Sequence, residues 1–145
     1  MDKLNKKNSG QSLVELIVAV SISALILVAL LSGVTTALHS AQLAKKKTQA
    51  MGKTQEVVEW LRGEKEKSWA EFATNNNGQY CFNDLTFVLG ECNADSDGFK
   101  RQLELIFTDE DGDGIDDKAK IKVTTFWTDN HGEHKESLTT YLTKN

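Results

Sequence analysis

The chain of 145 residues has no proline and only two cysteines. Without proline, its helix-forming stretches lack the residue that most strongly breaks a helix. The sequence also has no nucleophile–base–acid set, no phosphate-binding loop and no carboxylate pair in a catalytic context. The run His131-Gly132-Glu133-His134 is most simply a set of exposed polar residues in a turn. We therefore expect that the protein is not an enzyme.

Basic residues are scarce in the C-terminal half. Residues 1–66 hold 9 Lys/Arg against 6 Asp/Glu, whereas residues 67–145 hold 8 against 15. A nonspecific nucleic-acid interface needs a basic face that neutralises phosphates. The acidic half therefore argues against nucleic-acid binding and suits a soluble head outside the cytoplasm.

One long apolar run dominates the N-terminal half. From Leu13 to Val34 there are 22 residues, and Glu15 is the only charged one. At about 1.5 Å per helical residue they span about 33 Å, enough for a bilayer core of about 30 Å. We interpret the run as a membrane helix. An acid at the centre of such a span costs about 2.5–3.5 kcal/mol, so Glu15 either lies at the headgroups or has a specific function.

The residues Gly10-Gln11-Ser12-Leu13-Val14-Glu15, followed by this span, resemble the cleavage and methylation segment of type IV prepilins and pseudopilins. The resemblance implies that a membrane peptidase cuts after Gly10 and that the new amino terminus, Gln11, is methylated. It also implies that Glu15 pairs with the terminal amine of a neighbouring subunit during filament assembly. Gln11 stands where the family usually has phenylalanine.

The resemblance implies a structural subunit, with a minor type IV pilin as the first choice. Its partners would be other pilin subunits, the prepilin peptidase/methyltransferase and the inner membrane. A pseudopilin of a type II secretion or DNA-uptake machine shares every N-terminal feature. A third alternative is a membrane-anchored calcium-binding or adhesion module that never assembles.

Lysines in the leader predict the orientation in the membrane. Lys3, Lys6 and Lys7 lie beside the start of the span and hold that end in the cytoplasm, so the rest is translocated. After assembly the protein would lie in an extracytoplasmic filament at the cell surface. An ordinary secretory signal is the rival interpretation, but the apolar run is longer than the usual 7–15 residues and no good cleavage site follows it.

We expect an α+β protein with a pilin-like architecture. Its parts are a leader at 1–10, a transmembrane and assembly half of a helix at 11–34, an amphipathic half at 35–67 and a β-rich head at 68–145. The predicted apolar stripe of the amphipathic half consists of Leu38, Ala41, Met51, Val58 and Leu61. A separate juxtamembrane linker helix is the alternative.

The head carries strand patterns and a cysteine pair. Apolar residues alternate with other residues around 103–107, 121–127 and 138–142, which predicts half-buried antiparallel strands. The segment Thr128–Gly132 reads as a hairpin turn in which Asn130, His131 and Gly132 tolerate positive φ. Cys81 and Cys92 predict a disulfide in a translocated domain, with a hairpin or a strand and turn between them. A zinc site would lack nearby histidine ligands.

The segment 109–117 holds six acids in nine residues. Carboxylates at alternate positions of a turning loop can converge on a hard cation. The candidate calcium ligands are Asp109, Asp111, Asp113, the carbonyl of Ile115, and Asp117, with Gly114 at the sharp turn. This loop resembles the aspartate loops of calcium-binding repeats in exported proteins, although Lys120 stands where a helix–loop–helix site has its glutamate. Asp-Gly runs also serve plain hairpin turns, so both interpretations stay open.

Overall fold

The computed structural model describes residues 9–75, 77–110, 112 and 114–144, with side chains from Leu13 onward. The elements are α1 (Ser9–Lys67), α2 (Trp69–Phe72), β1 (Gly78–Cys81), β2 (Val88–Leu89), β3 (Phe99–Thr108), β4 (Lys118–Asp129) and β5 (Gly132–Thr143). A long N-terminal helix followed by an antiparallel sheet confirms the predicted fold class. Most of the predicted leader (residues 1–8) and the candidate ligands Asp111 and Asp113 lie outside the described residues.

The chain forms two compact units, one up to Ala44 and the other from Lys45 to its end. The boundaries predicted at residues 10, 34 and 67 stay predictions; α1 runs through residues 10 and 34 without a break and ends at Lys67. The second unit, which we call the head, therefore includes the C-terminal part of α1.

Two serine hydroxyls in the apolar, N-terminal part of α1 form hydrogen bonds within the helix. The hydroxyls of Ser21 and Ser23 each donate to the carbonyl four residues earlier, at 2.8 Å. Such bonds satisfy polar groups inside the helix, which matters wherever water is absent. At the other end, Ser68 has extended backbone and its hydroxyl accepts the N–H of Glu71, so it separates α1 from α2.

The five strands lie in the order β2-β1-β3-β4-β5, and every neighbouring pair is antiparallel. Burial alternates along β3 and β4: Leu103, Leu105, Ile121 and Val123 are fully buried, while the residues between them are more exposed. This alternation follows from the period of two in a strand. The three strand predictions are confirmed.

The β4–β5 turn is tighter than the sequence indicated. Asp129 pairs with Gly132, so only Asn130 and His131 form the turn. Of the three residues expected to tolerate positive φ, only Gly132 adopts it, at 125°. A glycine there places the left-handed conformation at the start of β5, where a side chain would be strained.

The core of the head lies between the C-terminal part of α1 and one face of the sheet. Val57, Val58 and Leu61 of α1 belong to the same buried cluster as the inward-facing strand residues and Phe82. Val58 and Leu61 of the predicted apolar stripe are buried in this core, whereas Leu38 is 59% exposed. The buried stripe begins only at Ala50 and includes a polar residue, Thr54.

Buried polar contacts tie α1 to the sheet. The hydroxyls of Thr54 and Thr125, both fully buried, share a hydrogen bond of 2.8 Å. Arg101 on β3 is buried and pairs with Glu56 of α1 at 2.7 Å, and it also donates to the carbonyl of Asn83. Because buried polar groups need partners, these contacts specify how the helix meets the sheet.

Cys81 and Cys92 form a disulfide, as the sequence predicted. The segment between them is a short hairpin in which Tyr80 pairs with Leu89 and Cys81 with Val88. Leu85 lies in its turn and has a positive φ of 53°, which the sequence did not indicate. The disulfide therefore joins β1 to the segment that follows β2.

Candidate functional site

The N-terminal part of α1 exposes a continuous apolar surface. Its large apolar side chains from Leu13 to Val34 are each at least half exposed, and Leu25 reaches 72%. The most apolar window of this helix has a mean hydropathy of 2.8, and none of that window is buried in the protein. An apolar surface of this size on all sides of a helix marks a membrane span or a contact with other helices.

The predicted processing residues lie at the start of this surface. Gly10 and Gln11 have helical backbone in the first turn of α1, and Glu15 follows one turn later. Four helical residues correspond to about 6 Å along the axis. An amine created at residue 11 and the carboxylate of Glu15 would therefore lie at similar depths in a bilayer, which allows such groups to pair between parallel subunits.

The acidic loop 109–117 joins β3 to β4 and is organised by its own hydrogen bonds. The carboxylate of Asp109 accepts the backbone N–H of Gly112 at 2.7 Å and that of Gly114 at 2.9 Å. Both glycines have positive φ, near 80°. A carboxylate that accepts hydrogen bonds from two backbone N–H groups stabilises a turn. Asp109 therefore stabilises the conformation of this loop.

The far end of the loop is held by the neighbouring elements. The carbonyl of Asp116 accepts the indole N–H of Trp69 at 2.7 Å, and the backbone of Asp117 bonds to Thr108 and Lys144. Glu110 pairs with Lys118 at 2.6 Å, and this hydrogen bond raises the pKa of Lys118. These contacts therefore hold Glu110, Asp116 and Asp117 beside the facing ends of β3 and β4.

A second polar cluster lies at the opposite end of β4. Asp129 accepts the backbone N–H of His131 at 2.7 Å, and His134 Nε2 lies 3.0 Å from the same carboxylate. The His131 N–H and then His134 hold the pKa of Asp129 below its usual range. The ring of His134 stacks on Trp127, with ring centres 5.4 Å apart. The sequence did not indicate this convergence, which depends on the β4–β5 register.

One comparison with known proteins is informative. A family model described as the prokaryotic N-terminal methylation motif matches residues 5–31. No curated protein and no solved structure matches the chain. The matched segment includes Gly10, Gln11 and Glu15 and most of the exposed apolar surface.

Proteins of the pilin type are structural subunits that are anchored in a membrane through such a helix. Here the motif leads directly into a long apolar helix, which is followed by a five-stranded antiparallel sheet. The motif and the layout together confirm the resemblance seen in the sequence: the chain carries the prokaryotic N-terminal methylation motif and has a pilin-like layout.

Proposed function

We propose that this protein is a structural subunit of an extracytoplasmic filament, with a minor type IV pilin as the first choice. A prepilin peptidase removes residues 1–10 and methylates Gln11, and the mature subunits pack through the N-terminal part of α1. The observation that carries the proposal is the methylation motif at residues 5–31, which continues into an exposed apolar helix with a single acid.

The role of Glu15 follows from the cost of isolated charges in lipid. A carboxylate and an ammonium group are each expensive in an apolar medium, and pairing them removes much of that cost. Cleavage after Gly10 creates the ammonium group within one helical turn of the carboxylate. A parallel neighbour displaced along the helix axis by about one turn, about 5.4 Å, brings its Glu15 level with that amine. Pairing therefore favours one axial displacement between neighbouring subunits.

The proposed location follows from the charge beside the span. Lys3, Lys6 and Lys7 retain the N-terminus in the cytoplasm, and the head is translocated. The Cys81–Cys92 disulfide suits that location, because disulfides persist in oxidising compartments outside the cytoplasm. The precursor is thus a single-pass protein of the inner membrane before it enters the filament.

The test combines mass spectrometry with filament yield. We expect the native protein to lack residues 1–10 and to carry a methyl group on Gln11. The variant Glu15→Ala should still be cleaved but should lose filaments, whereas Glu59→Ala, which removes an exposed acid of the head, should assemble normally. Normal filament yield for Glu15→Ala, or an intact leader in cells with a working peptidase, would contradict the proposal.

A deletion strain separates the two filament classes. Loss of surface filaments supports a pilin, whereas loss of protein secretion or DNA uptake without loss of surface filaments supports a pseudopilin. The non-assembling anchored module differs from both, because its leader stays attached and its mass does not depend on the peptidase.

We also propose that the acidic loop 109–117 binds a structural calcium ion. Its support is the charge of six acids in nine residues and the location of the loop between two strand ends. Asp109, the carbonyl of Ile115 and Asp117 are candidate ligands among the described residues, and Asp111 and Asp113 complete the predicted set. The ion would reduce repulsion among the acids and stabilise the head. Calorimetric titration with calcium, using the variant Asp113→Asn as a comparison, tests this proposal.

A further inference from the structure

The outer face of the sheet is basic although the head is acidic. Residues 45–145 hold 14 Lys/Arg against 19 Asp/Glu. Along β3, β4 and β5, the side chains that alternate with the core residues point away from α1. They include five lysines and only two acids: Lys100, Lys118, Lys120, Lys122, Lys135, Glu104 and Glu133. We call this surface the lysine face.

Three of the five lysines have an acidic partner. Lys100 pairs with Glu133, Lys118 with Glu110, and Lys122 with Glu104, the last at 3.5 Å between half-exposed side chains. Lys120 and Lys135 are exposed, and no carboxylate of the described residues lies within ion-pair distance of either. The lysine face therefore has an excess of positive charge, and its three exposed ion pairs reduce that charge only weakly.

The spacing of the lysines on β4 has an energetic cost. Lys118, Lys120 and Lys122 lie on one face of one strand, about 7 Å apart from one to the next. Like charges at that distance repel, and Glu110 and Glu104 offset this repulsion only in part, at Lys118 and Lys122. A partner with a row of negative charges removes this repulsion when it lies along the strand.

Hydroxyl and amide groups lie among the lysines. A depression of about 260 Å³ on this face is lined by Gln79, Gln102, Thr124, Phe126 and Ser137 together with Lys122, Lys135 and one acid, Glu104. The polar side chains donate and accept hydrogen bonds, as the hydroxyl groups of a sugar require. Its lining residues come from four neighbouring strands, so an extended polymer fits this surface better than a compact ligand.

Lysine ammonium groups lie over two aromatic rings of this face, of which Tyr141 is 56% exposed. Lys100 Nζ lies over the ring of Phe126 at 5.2 Å, and Lys118 Nζ lies over that of Tyr141 at 5.1 Å. Recognition of single-stranded nucleic acid depends on aromatic rings that stack with bases. The ammonium groups over both rings oppose such stacking and favour a carboxylated sugar polymer over a nucleic acid.

We propose that the lysine face binds an extended polysaccharide that carries carboxylate groups. The lysines on β4 and Lys135 on β5 contact the carboxylates, and the hydroxyl and amide groups around Thr124 and Ser137 contact sugar hydroxyls. This binding does not depend on filament assembly, because every residue involved lies in the head.

The test uses the full-length chain in detergent micelles, titrated with polygalacturonate at low salt. We expect binding to polygalacturonate and none to dextran, a neutral polysaccharide. The variant Lys120→Gln/Lys122→Gln/Lys135→Gln should weaken binding at least about tenfold, which corresponds to about 1.4 kcal/mol. The control Lys45→Gln/Lys47→Gln/Lys67→Gln removes the same charge from exposed positions of α1 and should stay within about twofold of the unmodified chain.

A second variant tests the sugar contacts. Thr124→Val/Ser137→Ala leaves all charges in place and should weaken polygalacturonate binding about threefold without affecting binding to a short DNA duplex. Four outcomes would overturn the proposal: no binding to polygalacturonate, an equal loss in the α1 control, DNA binding as tight as polygalacturonate binding, or self-association that the triple lysine variant abolishes. The last would assign the lysine face to a second copy of the chain.

Discussion

Removing the disulfide should weaken the head by an amount that the chain connectivity determines. Cys81 and Cys92 are 11 residues apart in sequence. Closing a loop of that length in the unfolded chain stabilises the folded state by about 3 kcal/mol in the chain-entropy model. The variant Cys81→Ser/Cys92→Ser should lose this amount, which for a head of about 100 residues lowers Tm by about 12–24 °C.

The variant should still fold, because other contacts hold the same segment. Phe82 is fully buried, and the side chain of Asn83 accepts the N–H of Arg101 at 2.9 Å and donates to the carbonyl of Asn93 at 2.7 Å. A head of this size has a total stability of about 5–15 kcal/mol, so a loss of about 3 kcal/mol leaves most molecules folded.

Tryptophan fluorescence during urea unfolding is a suitable assay. Trp60, Trp69 and Trp127 all lie in the head, so the signal does not report on the apolar part of α1 in the micelle. The unmodified chain in reducing buffer should match the double variant. An unfolding free energy within about 0.5 kcal/mol of the oxidised protein would refute the loop-entropy argument, and complete loss of the folded state would show that the disulfide is essential to the fold.

Three further predictions concern the stability of the head, as unfolding free energy or as Tm. Leu61→Ala should lower the unfolding free energy by about 2–5 kcal/mol, because Leu61 is fully buried between α1 and the sheet. Stability should fall in acid as Asp95 is protonated. Burial raises the pKa of Asp95, but the N–H of Phe99 and the Lys53 ammonium group outweigh this, so its pKa is below the ordinary 3.8. Its contribution is therefore present above pH 3.8 and lost as the pH falls through the lower folded pKa. Calcium should raise Tm, and Asp109→Ala should lower it even with a chelator, because Asp109 also holds two backbone N–H groups of the loop.

Each of these predictions has a control. Glu59→Ala on the exposed side of α1 should change stability by less than about 0.5 kcal/mol, and an equal effect of the two substitutions would contradict the assigned core. Asp95→Asn should reduce the loss of unfolding free energy at low pH. An unchanged loss would mean that other carboxylates cause it. An equal Tm in calcium and in chelator would mean that the acidic loop is a plain turn that binds no calcium.

Much of this protein is predictable because its signals are local. The apolar run Leu13–Val34 is recognisable from composition, and the strands from a period of two. The processing segment is recognisable from Gly10 and Glu15 at a fixed spacing. These predictions needed no knowledge of which elements pack together.

Other features depend on packing between distant segments. The sequence does not show where the sheet begins to cover α1: the predicted apolar stripe begins at Leu38, but burial starts at Ala50. The Thr54–Thr125 hydrogen bond and the burial of Arg101 join residues that are far apart in the chain. Propensity and periodicity contain no information about such pairs.

The sequence by itself determined the apolar run, the N-terminal methylation motif, the strands and the cysteine pair, because each depends on neighbours along the chain. Only the tertiary structure decided that an acidic head has a basic face. Lysines on β3, β4 and β5 are separated in sequence by acidic segments, and the antiparallel register brings them to the same side of one sheet. Net charge is a sum over residues, whereas a binding surface depends on where the fold places each charge.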